Sequence, residues 1–176
     1  MDYMPNEDAV IYFADAILPR IAATIKDVSL TVVGRNPTPR LLALSRSNAR
    51  IHVTGGVPDV RPYIARAACF VVPIRIGGGT RLKIFEAMAM GKPVVSTSVG
   101  AEGLPVSNAV HLLLADDPQI FADRVIQVLN DRAAASSLAN RARAFVTQNF
   151  SWESAAAEFD RICAGVAETQ RKSKAA

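Results

Sequence analysis

Short runs of β-branched and apolar residues alternate along the chain with longer segments whose apolar positions recur every three or four residues. The short runs predict buried strands, and the longer segments predict amphipathic helices. Alternation of this kind is typical of an open, mostly parallel sheet with helices on both faces. The predicted strands are 29–33, 51–53, 69–73, 93–97 and 111–114, and the predicted helices are 6–25, 37–47, 58–67, 81–90, 117–130, 132–148 and 151–167.

The first predicted helix carries its own start signal. Asn6 follows Pro5 and is expected to act as the N-cap, with Glu7 and Asp8 placing acidic groups in the first turn. Pro19 should kink or divide this helix, because proline has no N–H group to donate. No strand is predicted before the helix, so we expect the first strand of the sheet to be truncated.

The segment 69–97 organises the rest of the chain, because it combines two strands, a glycine-rich loop and a helix. The loop leads to Thr80, which is expected to be the N-cap of the helix. Gly91 and Pro93 then end the helix. Such a unit forms a right-handed crossover between two parallel strands. The glycine residues of the loop are Gly77, Gly78 and Gly79.

The glycine loop is a candidate anion site. Ligands of open parallel sheets bind outside the carboxyl ends of the strands, and this loop lies at that edge. Residues without a Cβ atom allow close approach to the backbone, and the free N–H groups of a helix start attract anions. Glu86 lies about two turns further on, among Leu82, Ala89 and Met90. A carboxylate in apolar surroundings needs a partner, and ligand hydroxyl groups, Lys83 and a neighbouring loop are the alternatives.

Three further loops follow predicted strands at the same edge of the sheet. They are 34–36 with Arg35, 55–57 with Gly55, and 98–103. Each loop alone is typical of an ordinary turn. Because the carboxyl ends of parallel strands meet at one edge, we expect these loops to line one crevice together with the glycine loop.

Composition narrows the class of protein. A chain of 176 residues, half of them hydrophobic, is long enough for one well-packed domain, which we place at 1–170 with a disordered tail at 171–176. The net charge of +4 is modest and its basic residues are scattered, so nucleic-acid binding is not indicated. No apolar run approaches the ~18 residues of a transmembrane segment, and the acidic start is unlike a signal peptide.

The sequence assigns no catalytic residue, metal ligand or cofactor. Cys69 and Cys163 lack metal-ligand spacing and are typical of a reducing, cytoplasmic compartment. His52 and His111 lie in separate predicted strands, which favours structural roles. The glycine loop lacks the Lys-Ser/Thr pair of a phosphate-binding P-loop, and no GxGxxG motif follows a strand.

Residues 77–104, GGGTRLKIFEAMAMGKPVVSTSVGAEGL, resemble the group 1 family of retaining glycosyltransferases. Shorter matches at 5–10, 34, 55–60 and 150–153 extend the resemblance over nearly the whole chain. The family has GT-B architecture, in which two Rossmann-like halves enclose the catalytic cleft. The resemblance implies that this chain is the C-terminal, donor-binding half, whose substrate is a nucleoside-diphosphate sugar.

The resemblance also implies roles for individual residues. Glu86 matches the second glutamate of the family's Glu-x7-Glu pattern, which binds the nucleotide ribose. The first glutamate of that pattern falls at Gly78, so this chain departs from the family there. The glycine-rich helix start would face the donor diphosphate, and the basic residues that could grip it are Arg35, Arg81 and Lys83.

The missing acceptor half has consequences for activity. The resemblance implies that this chain transfers no sugar by itself and that the exposed cleft face favours self-association. We expect a cytoplasmic location, and a peripheral membrane location of the full-length protein is an open alternative. The alternative is a non-catalytic domain that binds a nucleotide sugar or a partner protein. The glycine at position 78 and the missing half both favour that alternative slightly.

Overall fold

The computed structural model describes residues 3–77 and 81–151, together with residues 154, 156 and 159–164, and those of the last group are helical. Predictions for Gly78, Gly79, Thr80, Trp152 and the tail 171–176 therefore lie outside the described residues. The helices are α1 (Met4–Tyr12), α2 (Leu18–Thr24), α3 (Pro39–Ser47), α4 (Arg61–Arg66), α5 (Leu82–Ala89), α6 (Pro118–Asn130) and α7 (Arg132–Asn149), and the strands are β1 (Leu30–Val32), β2 (Ile51–Val53), β3 (Phe70–Val72), β4 (Val94–Ser96) and β5 (Leu113–Leu114).

The first helical segment is divided shortly before Pro19, which agrees with the prediction that this proline kinks or divides the helix. A π-helical turn (Phe13–Ile17) separates α1 from α2, and Pro19 lies in the first turn of α2, where its missing N–H group has no partner to lose. The predicted N-cap is wrong, because α1 begins at Met4 and Tyr3 occupies the cap position without a side-chain hydrogen bond. Pro5 explains this earlier start, since its fixed φ suits the first helical turn.

Other helix starts follow their sequence signals more closely. The Asp117 carboxylate accepts hydrogen bonds from the N–H groups of Gln119 and Ile120, and Pro118 is the first residue of α6, both as predicted.

No helix in the described part of the chain is both long and apolar enough to cross a membrane.

All described strand pairings are parallel, which confirms the predicted sheet type. The strands form two sheets, one with the order β1-β2 and one with the order β3-β4-β5. In the first sheet Leu30 is opposite Ile51, and in the second Phe70 is opposite Val94. The division falls between β1 and β3, the position that the first strand occupies in the doubly wound order 3-2-1-4-5.

Helices cover both faces of the strands, which confirms the predicted layers. One core cluster joins the α1–α2 segment and α6 to both sheets. A second cluster joins α5 and α7 to the three-stranded sheet. Fully buried side chains of the first cluster include Ile17, Leu18, Ile21, Ile51, Val95 and Phe121, and those of the second include Ile84, Met88, Val94 and Ala142.

Candidate functional site

Gly77, the first residue of the glycine loop, follows β3 and lies against the start of α1. Gly77 has φ +106°, a conformation that glycine adopts without strain. A Cβ atom at Gly77 would lie only 3.1 Å from Cγ of Pro5. Both constraints favour glycine at this position, because the backbone of Gly77 passes close to α1.

The N-terminus of α5 has no side-chain cap. The helix begins at Leu82, and Arg81 occupies the cap position without a side-chain hydrogen bond to the helix. The predicted helix start at Arg81 is therefore one residue too early. No described group accepts a hydrogen bond from the N–H of Leu82 or Lys83, which belong to the helix start and its partial positive charge.

Arg81 brings a buried positive charge to this helix start. Its side chain is 5% exposed, and Nη2 donates to the carbonyl oxygens of Gly77 at 2.7 Å and Val99 at 3.1 Å. Nε has no hydrogen-bond partner among the described residues. Among the described residues this buried guanidinium contacts two neutral carbonyl groups and no carboxylate, so the site is suited to an anion.

Lys83 adds a second cation. Its Nζ donates to Oδ1 of Asn6 at 3.1 Å, which joins α5 to α1. Although part of the side chain is open to solvent, burial of the ammonium group lowers the pKa of Lys83, and the charge of Arg81 lowers it further. Glu86 acts in the opposite direction. The contact with Asn6 was not predicted from the sequence, because the local pattern indicated that Asn6 caps a helix.

Glu86 lies on an open face of α5 rather than among buried side chains. Its side chain is exposed, and its neighbours Leu82, which is 59% exposed, and Ala89 are also open to solvent. The argument that an apolar environment forces Glu86 to find a partner is therefore wrong. Within the described residues Glu86 forms no ion pair with Lys83, and its carboxylate is accessible to a ligand.

A tight turn after β4 positions one of the acceptors of Arg81. Gly100 packs so closely that a Cβ atom would lie 2.7 Å from the Val72 carbonyl oxygen, and its N–H group donates to Thr97 Oγ1 at 2.9 Å. The carboxylate of Asp116 accepts from both the N–H and the hydroxyl group of Ser98. These contacts fix the turn that carries the Val99 carbonyl group.

Arg35 and Gly55 form a separate group at the ends of β1 and β2. The N–H group of Gly34 donates to the Gly55 carbonyl oxygen at 3.2 Å, and a Cβ atom at Gly56 would lie 3.0 Å from Cγ of Arg35. Gly55 has φ +73° with open space around it. The structure thus joins Gly77, Arg81, Lys83 and Glu86 at the β3–α5 edge, with Arg35 and Gly55 at the neighbouring edge.

The sequence did not identify an ion pair beside the glycine loop. Arg75, which follows β3, contacts Asp8 of α1 at 2.6 Å and lies 4.2 Å from the centre of the Tyr12 ring. The sequence feature that could have indicated this ion pair is Arg75 itself, a basic residue just after the carboxyl end of a predicted strand. The pair borders a cavity of about 380 Å³. None of the described donor-binding candidates lines this cavity, whose walls are Met4, Glu7, Asp8, Ile11, Tyr12, Asp15, Ala16, Arg40 and Arg75.

Metal binding finds no support in the described residues. They contain no group of three or more histidine, cysteine, aspartate or glutamate side chains that could hold an ion. The chemistry available at the β3–α5 edge is therefore that of backbone N–H groups, two cations and one accessible carboxylate. This set can bind a diphosphate and a hydroxyl-bearing group beside it.

Sequence comparisons identify the chain's relatives. A family model described as glycosyl transferases group 1 matches residues 1–131. A GDP-mannose-dependent alpha-(1-6)-phosphatidylinositol monomannoside mannosyltransferase of Mycobacterium tuberculosis is 30% identical over 155 residues, which cover 80% of this chain and 40% of that protein. A D-inositol 3-phosphate glycosyltransferase of Salinispora arenicola is 29% identical over 181 residues, covering 96% of this chain and 39% of that protein.

Solved structures show the same fold. The C-terminal domain of LpcC, a glycosyl transferase group 1 family protein from Francisella tularensis, matches with a TM-score of 0.68 and 22% identity over 85% of this chain and 82% of that one. Anabaena HepE in complex with UDP matches with a TM-score of 0.66 and 20% identity over 89% of this chain and 44% of that one. The chain spans about 40% of the length of the curated relatives that it matches. It belongs to the group 1 glycosyltransferase family.

Proposed function

We propose that this chain is the nucleotide-sugar-binding domain of a retaining glycosyltransferase. The observation that carries the proposal is the buried Arg81, whose Nε has no described partner, beside the uncapped N-terminus of α5. A buried cation at a helix start is stabilised when an anion supplies the missing counter-charge. A diphosphate group fits this requirement.

The same residues would assist the chemical step. When the glycosidic bond of the donor breaks, the leaving diphosphate gains negative charge. The N–H groups at the start of α5, with Arg81 and Lys83, would stabilise that charge. Glu86, about two turns along α5, would accept hydrogen bonds from the ribose hydroxyl groups and so fix the donor's position.

The names of the relatives support a nucleoside-diphosphate donor without specifying its base. The solved HepE complexes contain UDP, and one of them contains UDP-glucose. The mycobacterial relative is described as dependent on GDP-mannose. For this chain we therefore propose a nucleoside-diphosphate sugar, with the base and the sugar open to experiment.

Sugar transfer by this family member would require a further domain that holds the acceptor. Transfer needs the reacting atoms about 3–3.5 Å apart in an enclosed site. Exposed apolar side chains at the start of α1 and at the two ends of segment 76–82 support an interface at this place. They are Tyr3, Met4, Ile76 and Leu82, each between 46% and 59% exposed.

The binding proposal is tested by calorimetry with UDP, GDP, ADP and their sugars, on the native chain and on two variants. Arg81→Met should abolish binding of the preferred nucleotide or weaken it more than tenfold. Arg124→Met is the matched control, because Nε of Arg124 also lacks a described partner but lies on α6. It should bind as the native chain does. No binding of any nucleotide at millimolar concentration would contradict the proposal.

The catalytic proposal needs a separate measurement. Donor turnover is compared between this chain and a longer form that carries an acceptor domain. We expect turnover in the longer form only. Nucleotide binding without transfer in both forms would favour the non-catalytic alternative, which Gly78 in place of a glutamate also favours. Equal transfer by both forms would contradict the need for a second domain.

A further inference from the structure

Asn6 of α1 contacts Lys83, the second residue of α5. Nζ of Lys83 donates to Oδ1 of Asn6 at 3.1 Å. An ammonium group can only donate hydrogen bonds, so the contact requires the carbonyl oxygen of the amide to face Lys83. The ammonium group has three N–H donors, and within the described residues Asn6 accepts from one of them. The contact therefore holds Lys83 in place and leaves it able to donate to a ligand.

The two carboxylates that follow Asn6 in α1 are engaged elsewhere. The Glu7 carboxylate accepts from the Thr38 hydroxyl group at 2.6 Å, in the segment after β1. The Asp8 carboxylate pairs with Arg75, in the segment after β3, also at 2.6 Å. Both contacts hold the start of α1 against the carboxyl ends of the strands. The group of α1 that meets Lys83 is therefore a neutral amide.

The surroundings of Lys83 are unfavourable for a cation. A lysine in the first turn of a helix lies at the positive end of the helix dipole. Burial lowers the pKa of Lys83, and the charge of Arg81 lowers it further. Glu86 favours the charged form, but it forms no ion pair with Lys83 within the described residues. The positive charge of Lys83 thus lacks a paired carboxylate among these residues.

We propose that Asn6 is a positioning residue of the nucleotide site, which holds the ammonium group of Lys83 at the start of α5 without neutralising its charge. This inference rests on the proposed function, because the donor diphosphate is the anion that Lys83 would meet. A lysine side chain has a flexible stem, and ordering it has an entropic cost. The bond to Asn6 orders this side chain before the ligand arrives, which favours tighter binding.

The variant Asn6→Asp separates positioning from charge. It keeps an oxygen acceptor at this position and adds a negative charge that pairs with Lys83. Nucleotide affinity, measured by calorimetry at neutral pH, should fall at least about fivefold, because the carboxylate cancels one cation and repels the diphosphate. The free energy of unfolding should stay equal or rise. Native affinity in this variant would overturn the inference.

Asn48→Asp is the matched control for the added charge. Asn48 lies between α3 and β2, at the amino end of that strand, and its Oδ1 accepts from the N–H group of Arg50. The site lies at the opposite, carboxyl end of the strands. Asn48→Asp should therefore bind nucleotide as the native chain does. Equal losses of affinity in the two aspartate variants would assign the effect to net charge and overturn the inference.

A double-mutant cycle tests whether Asn6 acts through Lys83. Asn6→Ala should weaken binding at least about threefold in the native chain, because it removes one hydrogen bond to a charged group. In a Lys83→Met background the same replacement should have no effect on affinity. Asn6→Leu, which has a side chain of similar size, replaces the alanine variant if that variant does not fold. Equal losses in both backgrounds would show that Asn6 acts only through the fold of α1 and would overturn the inference.

The pH profile gives a readout that packing alone would not change. The carboxylate of Asn6→Asp favours the charged form of Lys83, so the fall of nucleotide affinity at high pH should begin at a higher pH than in the native chain. The other charged side chains around this contact are the same in both proteins; they are Arg81 and Glu86 on α5, Glu7 and Asp8 on α1, and Arg75 after β3. An unchanged profile would overturn the inference.

The two levels of the proposal fail in different ways. If the native chain binds no nucleotide, the proposed function is contradicted and the role of Asn6 falls with it. If the native chain binds nucleotide and the Asn6 variants bind equally well, only the positioning role is contradicted.

Discussion

The carboxylate of Asp8 and the guanidinium of Arg75 form a two-point ion pair. Nη2 contacts Oδ1 at 2.6 Å, and Nε contacts Oδ2 at 3.1 Å. The same guanidinium lies over the Tyr12 ring. The pair therefore fixes the face of α1 against the segment that leads from β3 into the glycine loop, through a planar group that lysine cannot replace.

We predict that Arg75→Lys lowers the free energy of unfolding by about 0.5–1 kcal/mol, the range for a partly exposed pair and a stacked cation. Denaturant unfolding measures the change. Arg61→Lys is the control, because Arg61 pairs only with the nearby, exposed Asp59. That variant should show no measurable change. Equal destabilisation by the two variants would assign no special role to the Asp8–Arg75 contact.

We predict that Glu86→Gln weakens nucleotide affinity by about 1.5–3 kcal/mol, as expected for the loss of charged hydrogen bonds. The fold should keep its stability, because the Glu86 side chain is exposed. A thermodynamic cycle that combines Glu86→Gln with a deoxyribose nucleotide tests whether Glu86 contacts the ribose. If Glu86 binds the ribose, replacing ribose by deoxyribose lowers the affinity of the variant less than that of the native chain. Additive losses of affinity would show that Glu86 does not contact the ribose.

We predict that nucleotide affinity falls with rising pH at values below 10.5, the ordinary pKa of lysine. Burial lowers the pKa of Lys83, so its positive charge is lost earlier than that of an ordinary lysine as pH rises. Calorimetry across this range measures the effect. Lys83→Arg should bind with little dependence on pH, and Lys92→Arg should retain the native profile. An unchanged profile in Lys83→Arg would exclude Lys83 from the anion site.

We predict that iodoacetamide modifies the exposed Cys163 much faster than Cys69 at pH 8.5. Burial raises the pKa of the Cys69 thiol to about 12, and the thiolate is the reactive form. Mass spectrometry should find one adduct on the native chain and two in urea. Cys163→Ser should remain unmodified until it unfolds, and rapid labelling of that variant would contradict the burial of Cys69.

The same shift affects stability at high pH. Because folding raises the pKa of the Cys69 thiol from 9.0 to about 12, its contribution to stability is complete below pH 9 and is lost as pH rises towards 12. Unfolding of the native chain and of Cys69→Ala across this range would separate this contribution from those of other groups. The free energy of unfolding should depend on pH differently in the native chain and in Cys69→Ala only above pH 9.

The sequence by itself determined the order of the elements and the position of the candidate site. The strand Ile51–Val53 and the start of α6 at Pro118 agree with their local signals. The parallel sheet and the glycine loop ahead of α5 also follow from patterns within a few residues. Such features depend on backbone preferences and nearby caps, which a single segment contains.

Only the tertiary structure decided which groups meet. Asn6 is a good cap by local rules, but its side chain instead accepts a hydrogen bond from Lys83, 77 positions away. Asp8 and Arg75 are separated by 67 positions. Glu86 has apolar neighbours in sequence, but its face of α5 is open to solvent. Packing between distant segments sets burial and partners, and local periodicity does not contain that information.

The division of the sheet between β1 and β3 also depends on tertiary structure. Only the backbone pairing directions of Leu30 and Phe70 identified which side of β1 and which side of β3 face their described partner strands. Backbone hydrogen bonds between strands join residues far apart in the chain. Their register and direction therefore emerge only when the strands, the core and α1 pack together.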